Sequence, residues 1–192
     1  MPAARVLVVY FSRSGTTARL ASMLAGMLHA DLEAIRESGA DPDAEPRGAR
    51  KGARKGARNS ARKGARGYLR SLIEAVRQRP AAIEPPVHDP AAYDVVIVGS
   101  PVWARSVSSP VRAWLVAHRA SLKHVAFFCS LGGSGAANAL DQMRVLAGKP
   151  PVAQCEVTAS DLHAGKDQRL IAEFAQRIGQ RLTVLDTVEW TL

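Results

Sequence analysis

Short hydroxyls, one glycine and a run of backbone amides follow the first apolar stretch of the chain, as Ser12-Arg13-Ser14-Gly15-Thr16-Thr17. Such a set can hold an anion. Ser and Thr hydroxyls donate to oxygen, and the first turn of a helix leaves its N–H groups unpaired and presents positive partial charge. A phosphate dianion suits this chemistry without a metal ion. Two other loops are unusual in composition. Pro101-Val102-Trp103-Ala104 sets a large flat aromatic after an apolar run, and Ser130-Leu131-Gly132-Gly133-Ser134-Gly135 lets backbone approach the edge of a bound group.

Other chemistries fail on spacing. A Walker-type loop requires Ser or Thr after Gly-Lys, but Pro150 follows Gly148-Lys149. A dinucleotide fingerprint at Gly133-x-Gly135 lacks its third glycine, since Asn138 stands there. A nucleophile elbow at Ser134 requires Gly where Ala136 is found. His29, His88, His118, His124 and His163 show no metal-ligand spacing. Nothing in the sequence sets a base beside Cys129, and Cys129 and Cys155 read as buried free thiols. No catalytic side chain and no metal ligand are assigned.

The loops must be positioned by the elements between them. Val6 to Phe11 is an unbroken apolar run, as a parallel strand covered on both faces requires. Leu20, Met23, Leu24, Met27 and Leu28 form a helical stripe over 16–28. A short strand is expected over 31–35 and a helix at Leu69, Leu72, Ile73 and Val76, ended by Pro80. Further strands are expected at 95–100, 125–129 and 152–157. Ser108-Ser109-Pro110 reads as a helix start with a hydroxyl cap and Pro in the first turn. A helix over 136–146 follows, and Leu170, Ile171, Phe174, Ile178 and Leu182 mark the last one. Strands alternating with helices predict an α/β fold with a parallel sheet covered on both sides. Ligands of such sheets bind beyond the carboxyl ends of the strands, where these three loops are expected.

Taken together the loops resemble those of the flavodoxin family, in particular its small bacterial flavodoxin-like members. Ser12 to Thr17 matches the family's phosphate loop. Tyr93-Asp94-Val95-Val96-Ile97-Val98-Gly99-Ser100-Pro101-Val102-Trp103 is similar to the strand and loop on one side of the flavin ring, and Cys129 to Gly135 resembles the loop on the other side. The match covers most of the chain except residues 39–66. The resemblance implies a flavodoxin-like three-layer sandwich with a five-stranded parallel sheet of order 2-1-3-4-5. It implies FMN as cofactor, held by Ser12, Arg13, Ser14, Gly15, Thr16, Thr17, Pro101, Val102, Trp103, Ala104, Ser130, Leu131, Gly132 and Gly133. At this point Arg13 is open between facing solvent and touching the phosphate. The implied activity is electron transfer from NAD(P)H or a reductase to a quinone or a protein acceptor, with the chemistry carried by the cofactor. A one-electron carrier is the alternative. Carriers of that kind are strongly acidic around the flavin, which this chain is not.

The formal net charge of +9 belongs to one segment. Residues 47–66 read RGAR-KGAR-KGAR-NSAR-KGAR and hold nine Lys/Arg and no acid; outside them 17 basic residues face 17 acidic ones. Gly in four of the five units costs a helix about 1 kcal/mol each relative to Ala. Like charges at i,i+4 repel as well. The sequence is therefore expected to form one domain, 1–192, with a basic low-complexity insertion at 40–66 lacking regular structure. A third reading is a flavin-free module that uses this arm on a partner or polyanion. Without interleaved aromatics such contact is nonspecific. No apolar run is long enough to span a membrane, and the first strand begins too early for a signal peptide, so a cytoplasmic protein is expected. If the arm binds nucleic acid, the intact chain is retained on DNA at low salt, and deleting 47–66 abolishes that retention. Absence of retention at low salt ends this reading.

Overall fold

A computed structural model describes residues 4–38 and 81–189, with side chains to Thr183. The 47–66 repeat and the expected helix at Leu69 to Val76 lie outside the described residues. The elements run β1 (Val6–Tyr10), α1 (Thr16–Leu28), β2 (Asp31–Ala34), β3 (Val95–Trp103), β4 (Ser106–Val107), α2 (Ser109–His118), β5 (His124–Leu131), α3 (Ala136–Ala147), β6 (Gln154–Thr158), α4 (Ala159–His163) and α5 (Asp167–Glu189).

Five strands form a parallel sheet in the order β2-β1-β3-β5-β6, the order expected from the sequence once the strands are counted along the sheet. Two elements were not anticipated, the short helix α4 and the strand β4. β4, two residues long, pairs antiparallel with the end of β3, so that strand runs past the expected Ser100 to Trp103.

The apolar runs follow from burial on both faces. Leu7, Val9, Val96, Val98, Val125 and Phe127 enter one core with Val111 and Trp114 of α2 and Leu140 and Met143 of α3. Their chain neighbours Val6, Val8, Val95, Ile97, Ala126 and Phe128 enter the other, with Leu20 and Leu24 of α1 and Ile171, Phe174 and Ile178 of α5. Helices thus cover both faces of the sheet.

The helix ends differ in how they are made. α1 and α3 begin at Gly15 and Gly135, with φ of 84° and 104°, and neither carries a side-chain cap. Ser108 holds the N-cap position of α2, but its hydroxyl is used elsewhere. It lies 3.1 Å from the Ser100 hydroxyl, which also accepts the Ser108 N–H. Both serines are buried, so pairing them satisfies two polar groups within the protein.

At the far edge, the backbone around 36–38 pairs antiparallel with 82–84. Glu37 bridges Ile83, Ser38 N donates to Ala82 O at 2.8 Å and Glu84 N donates to Arg36 O at 2.9 Å. The buried Glu33 carboxylate accepts the Val87 and His88 amides, each at 2.9 Å, and contacts His88 Nδ1 at 2.8 Å. Residues 36–38 and 82–84 thus form a short two-stranded stem.

Gly99 is the one position in β3 where a side chain has no room. A Cβ there would collide with the Phe128 ring, which occupies the space beside it. Gly99→Ala is expected to lower stability by about 1–3 kcal/mol, measured by urea unfolding. Adding Phe128→Leu should recover part of that loss.

Candidate functional site

The phosphate-loop candidates sit where β1 ends and α1 begins. Ser12 Oγ accepts the Gly15 N–H at 3.1 Å, closing the turn on itself. The left-handed conformation of Gly15 then carries the chain into α1, whose first carbonyl bond is Arg19 N to Gly15 O at 2.9 Å. A Cβ in this conformation is strained by roughly 1–2 kcal/mol, which explains the glycine. The start of α1 has no side-chain cap, and next to it Ser14 is exposed and Thr16 half-buried.

Thr17 is directed inward. Its hydroxyl is buried and lies 2.8 Å from that of Ser130, the residue that opens the third loop. This bond ties the loop after β1 to the loop after β5 across 113 positions of sequence. Leu131 also points into the core. Gly132, Gly133 and Ser134 are exposed, and a Cβ added at Gly132 or Gly133 would meet nothing within 4 Å. The outer half of this loop is open backbone.

The middle loop is a tight β-hairpin. Val102 pairs with Val107 and Trp103 with Ser106, leaving Ala104 and Arg105 as a two-residue turn. Both turn residues have positive φ, 47° and 63°. Such turns ordinarily carry Asn-Gly, because both central residues must be left-handed. Ala-Arg in their place is strained, and α3 holds it. Asn138 Nδ2 donates to Arg105 O at 2.6 Å, and Gln142 Oε1 accepts the Val107 amide at 3.2 Å. Gln142 also takes an Arg112 N–H at 3.2 Å. Gly135 is packed against the same turn, since its Cβ would lie 2.6 Å from the Arg105 Cα.

The hairpin presents Trp103 half-buried next to the first loop. Its ring meets Phe11 at 5.7 Å with planes 85° apart. The Arg13 guanidinium stands over it, 4.6 Å from the ring centroid. Arg13 also pairs with Glu37 at 3.3 Å. A second basic residue near the turn, Arg19, is tied to the buried carboxylate of Asp167 at 2.8 Å.

Cys129 lies directly below the third loop and is fully buried. Burial is the main cause that pushes its thiol up to about 12, and the charge of Glu156 and the neighbouring Cys155 add to it. It remains a neutral thiol at physiological pH, unsuited to attack. Among the described residues no group of three or more His, Cys, Asp or Glu is placed to hold a metal ion, and no helix is long and apolar enough to cross a membrane.

The three loops thus start side by side. Pro101 is in register with Ser130 on the neighbouring strand, and Thr17 touches Ser130. Sequence reasoning placed all three at this edge but missed the residues that hold them, Asn138, Gln142 and Glu37. Polar residues on helices and stems carry no signature of the turn they brace. Replacing Ala104-Arg105 by Asn-Gly should raise stability by about 1 kcal/mol, read as a higher urea midpoint at unchanged slope.

A comparison with protein-family models matches residues 5–157 to the model described as flavodoxin. A comparison with curated proteins gives no match. Among solved structures, the chain is similar to a flavoprotein from Lactobacillus acidophilus in complex with FMN. The TM-score is 0.59 at 20% identity, covering 84% of this chain and 98% of that one. It is similar also to a protein from Bacteroides eggerthii described as a putative flavoprotein, with a TM-score of 0.63 at 22% identity, covering 92% of this chain and 98% of that one. A third, from Bacteroides uniformis, gives 0.58 at 20% identity over 85% of this chain and 96% of that one. These likenesses carry the fold. The family match spans the first loop, the aromatic hairpin and the glycine loop together, and by it the chain belongs to the flavodoxin family.

Proposed function

We propose that the three loops hold FMN and that the protein is an oxidoreductase working through it. The observation that carries this reading is the joining of three features at one sheet edge. They are an uncapped helix start with free hydroxyls, a half-buried tryptophan on a braced hairpin, and an open Gly-Gly backbone. The FMN in the Lactobacillus acidophilus relative supports the choice of ligand.

In this reading the α1 amides and the Ser12, Ser14 and Thr16 hydroxyls bind the phosphate, with Gly15 shaping the turn. Pro101, Val102, Trp103 and Ala104 flank one side of the isoalloxazine, and Gly132 and Gly133 approach its edge. Thr17, Ser130 and Leu131 act from beneath, holding the first and third loops in place. Once bound, FMN supplies two-electron chemistry, from NAD(P)H or a reductase to a quinone or another acceptor. The side chains are asked to bind and orient and to shield the ring from water, which requires no titrating acid or base. The near balance of charge outside the basic repeat weighs against a carrier that docks through a strongly acidic face.

The purified protein is expected to be yellow and to release FMN on denaturation, or to take up added FMN after stripping. Trp103→Ala should weaken FMN binding about three- to tenfold, the range of one aromatic stacking contact, measured by quenching of flavin fluorescence. Steady-state NAD(P)H oxidation with a quinone then separates an oxidoreductase from a one-electron carrier. A colourless protein that cannot be reconstituted points instead to a flavin-free module.

A further inference from the structure

Arg13 lies in the phosphate loop by sequence, yet its side chain turns away toward the aromatic hairpin. The guanidinium stands 4.6 Å from the centroid of Trp103 and 5.9 Å from that of Phe11. Its Nη2 donates to Glu37 Oε2 at 3.3 Å. Glu37 does not follow Arg13 freely, because its backbone is paired with Ile83 in the stem at 36–38 and 82–84. The indole is also held, by Phe11 at its side and by the strained turn at Ala104-Arg105 beyond. A fixed carboxylate thus keeps a cation on a fixed aromatic face. A flat ring stacking on that face needs the same few ångströms of space, since carbon atoms pack at about 3.5–4.0 Å.

We propose that Arg13 and Glu37 form a latch on the cofactor site, with the guanidinium covering the Trp103 face until a flavin ring displaces it. The proposal rests on the reading of this site as the FMN site. Arg13 is then a competitor of the ring rather than a ligand of the phosphate. Glu37 sets the fraction of molecules in which the face is free. An apparent affinity falls in proportion to that competent fraction. An exposed ion pair and an exposed cation–π contact, each weak, together leave a free fraction on the order of one tenth.

The test compares the stripped wild-type protein with Arg13→Ala and Glu37→Gln, using FMN and riboflavin as probes and flavin fluorescence in stopped flow. Riboflavin lacks the phosphate and reports the ring alone. Both variants are expected to bind both probes about three- to tenfold more tightly, with faster association. Raising salt should improve riboflavin binding to the wild type and leave Arg13→Ala unchanged, because salt screens the exposed Arg13–Glu37 pair. Both substituted side chains are at the surface, and an unchanged circular dichroism spectrum confirms the fold. If Arg13→Ala weakens FMN and leaves riboflavin unaffected, Arg13 is a phosphate ligand and the latch is wrong. Equal constants in all three proteins overturn the latch and leave the FMN reading standing. No flavin binding by any of the three overturns the FMN reading, and the latch with it.

Discussion

Burial of the central strands on both faces is the constraint on which the molecule depends. In β1, β3 and β5 successive side chains enter opposite cores, so neither face can carry a polar residue without a partner. Each fully buried Val, Leu or Phe contributes about 1.5–3 kcal/mol relative to exposure. Parallel strands need a crossover to bring the chain back to the same end of the sheet, which sets their carboxyl ends at one edge and suits burial on both faces. The three loops meet there because the core allows no other arrangement, and only beyond β1 Tyr10, β3 Ser100 and Cys129 does backbone become available for polar work.

Hydroxyl groups at that boundary act as cross-links. Thr17 with Ser130, and Ser100 with Ser108, are buried pairs that join segments distant in sequence or direction. Each pair satisfies two groups that would otherwise be costly in a low-dielectric setting. The consequence reaches the surface. Thr17 and Ser130 fix the helix start against the glycine loop, so the uncapped start of α1 and the exposed backbone at Gly132–Gly133 keep a set separation. The strained hairpin is held in a comparable way, by Asn138 and Gln142 from one helix.

The fold was legible in the sequence because its strongest signals are periodic. The apolar runs and the helical stripe at Leu20 and Leu24 depend on many residues agreeing, and the bounds of α1 coincide with its observed ends at Thr16 and Leu28. The meeting of the three loops at one edge was legible for the same reason, since topology dictates it. The fine structure was not. Ala104-Arg105 hides a turn that Asn-Gly would have announced, so β4 was missed. Ser108 has the residue type and position of a cap, but a buried hydroxyl on Ser100 holds it more firmly. Arg13 lies 24 positions from Glu37, and no local pattern connects them.

The same contacts describe what the proposed anion site can offer. Two arginines lie near the start of α1, and each is engaged by a carboxylate, Arg13 by Glu37 and Arg19 by Asp167. The Asp167 carboxylate is buried and holds its partner in the seam between α1 and α5. What remains at the turn is backbone dipole and hydroxyl, a field that is short-ranged and directional. Such a field favours a compact, fixed oxygen cluster over diffuse negative charge, and it keeps that preference at salt concentrations that screen surface ion pairs. The strongly basic 47–66 repeat has the opposite character, long-ranged and nondirectional. By its sequence and its described residues the chain therefore carries two unlike positive features, and the proposed flavin phosphate draws on the directional one.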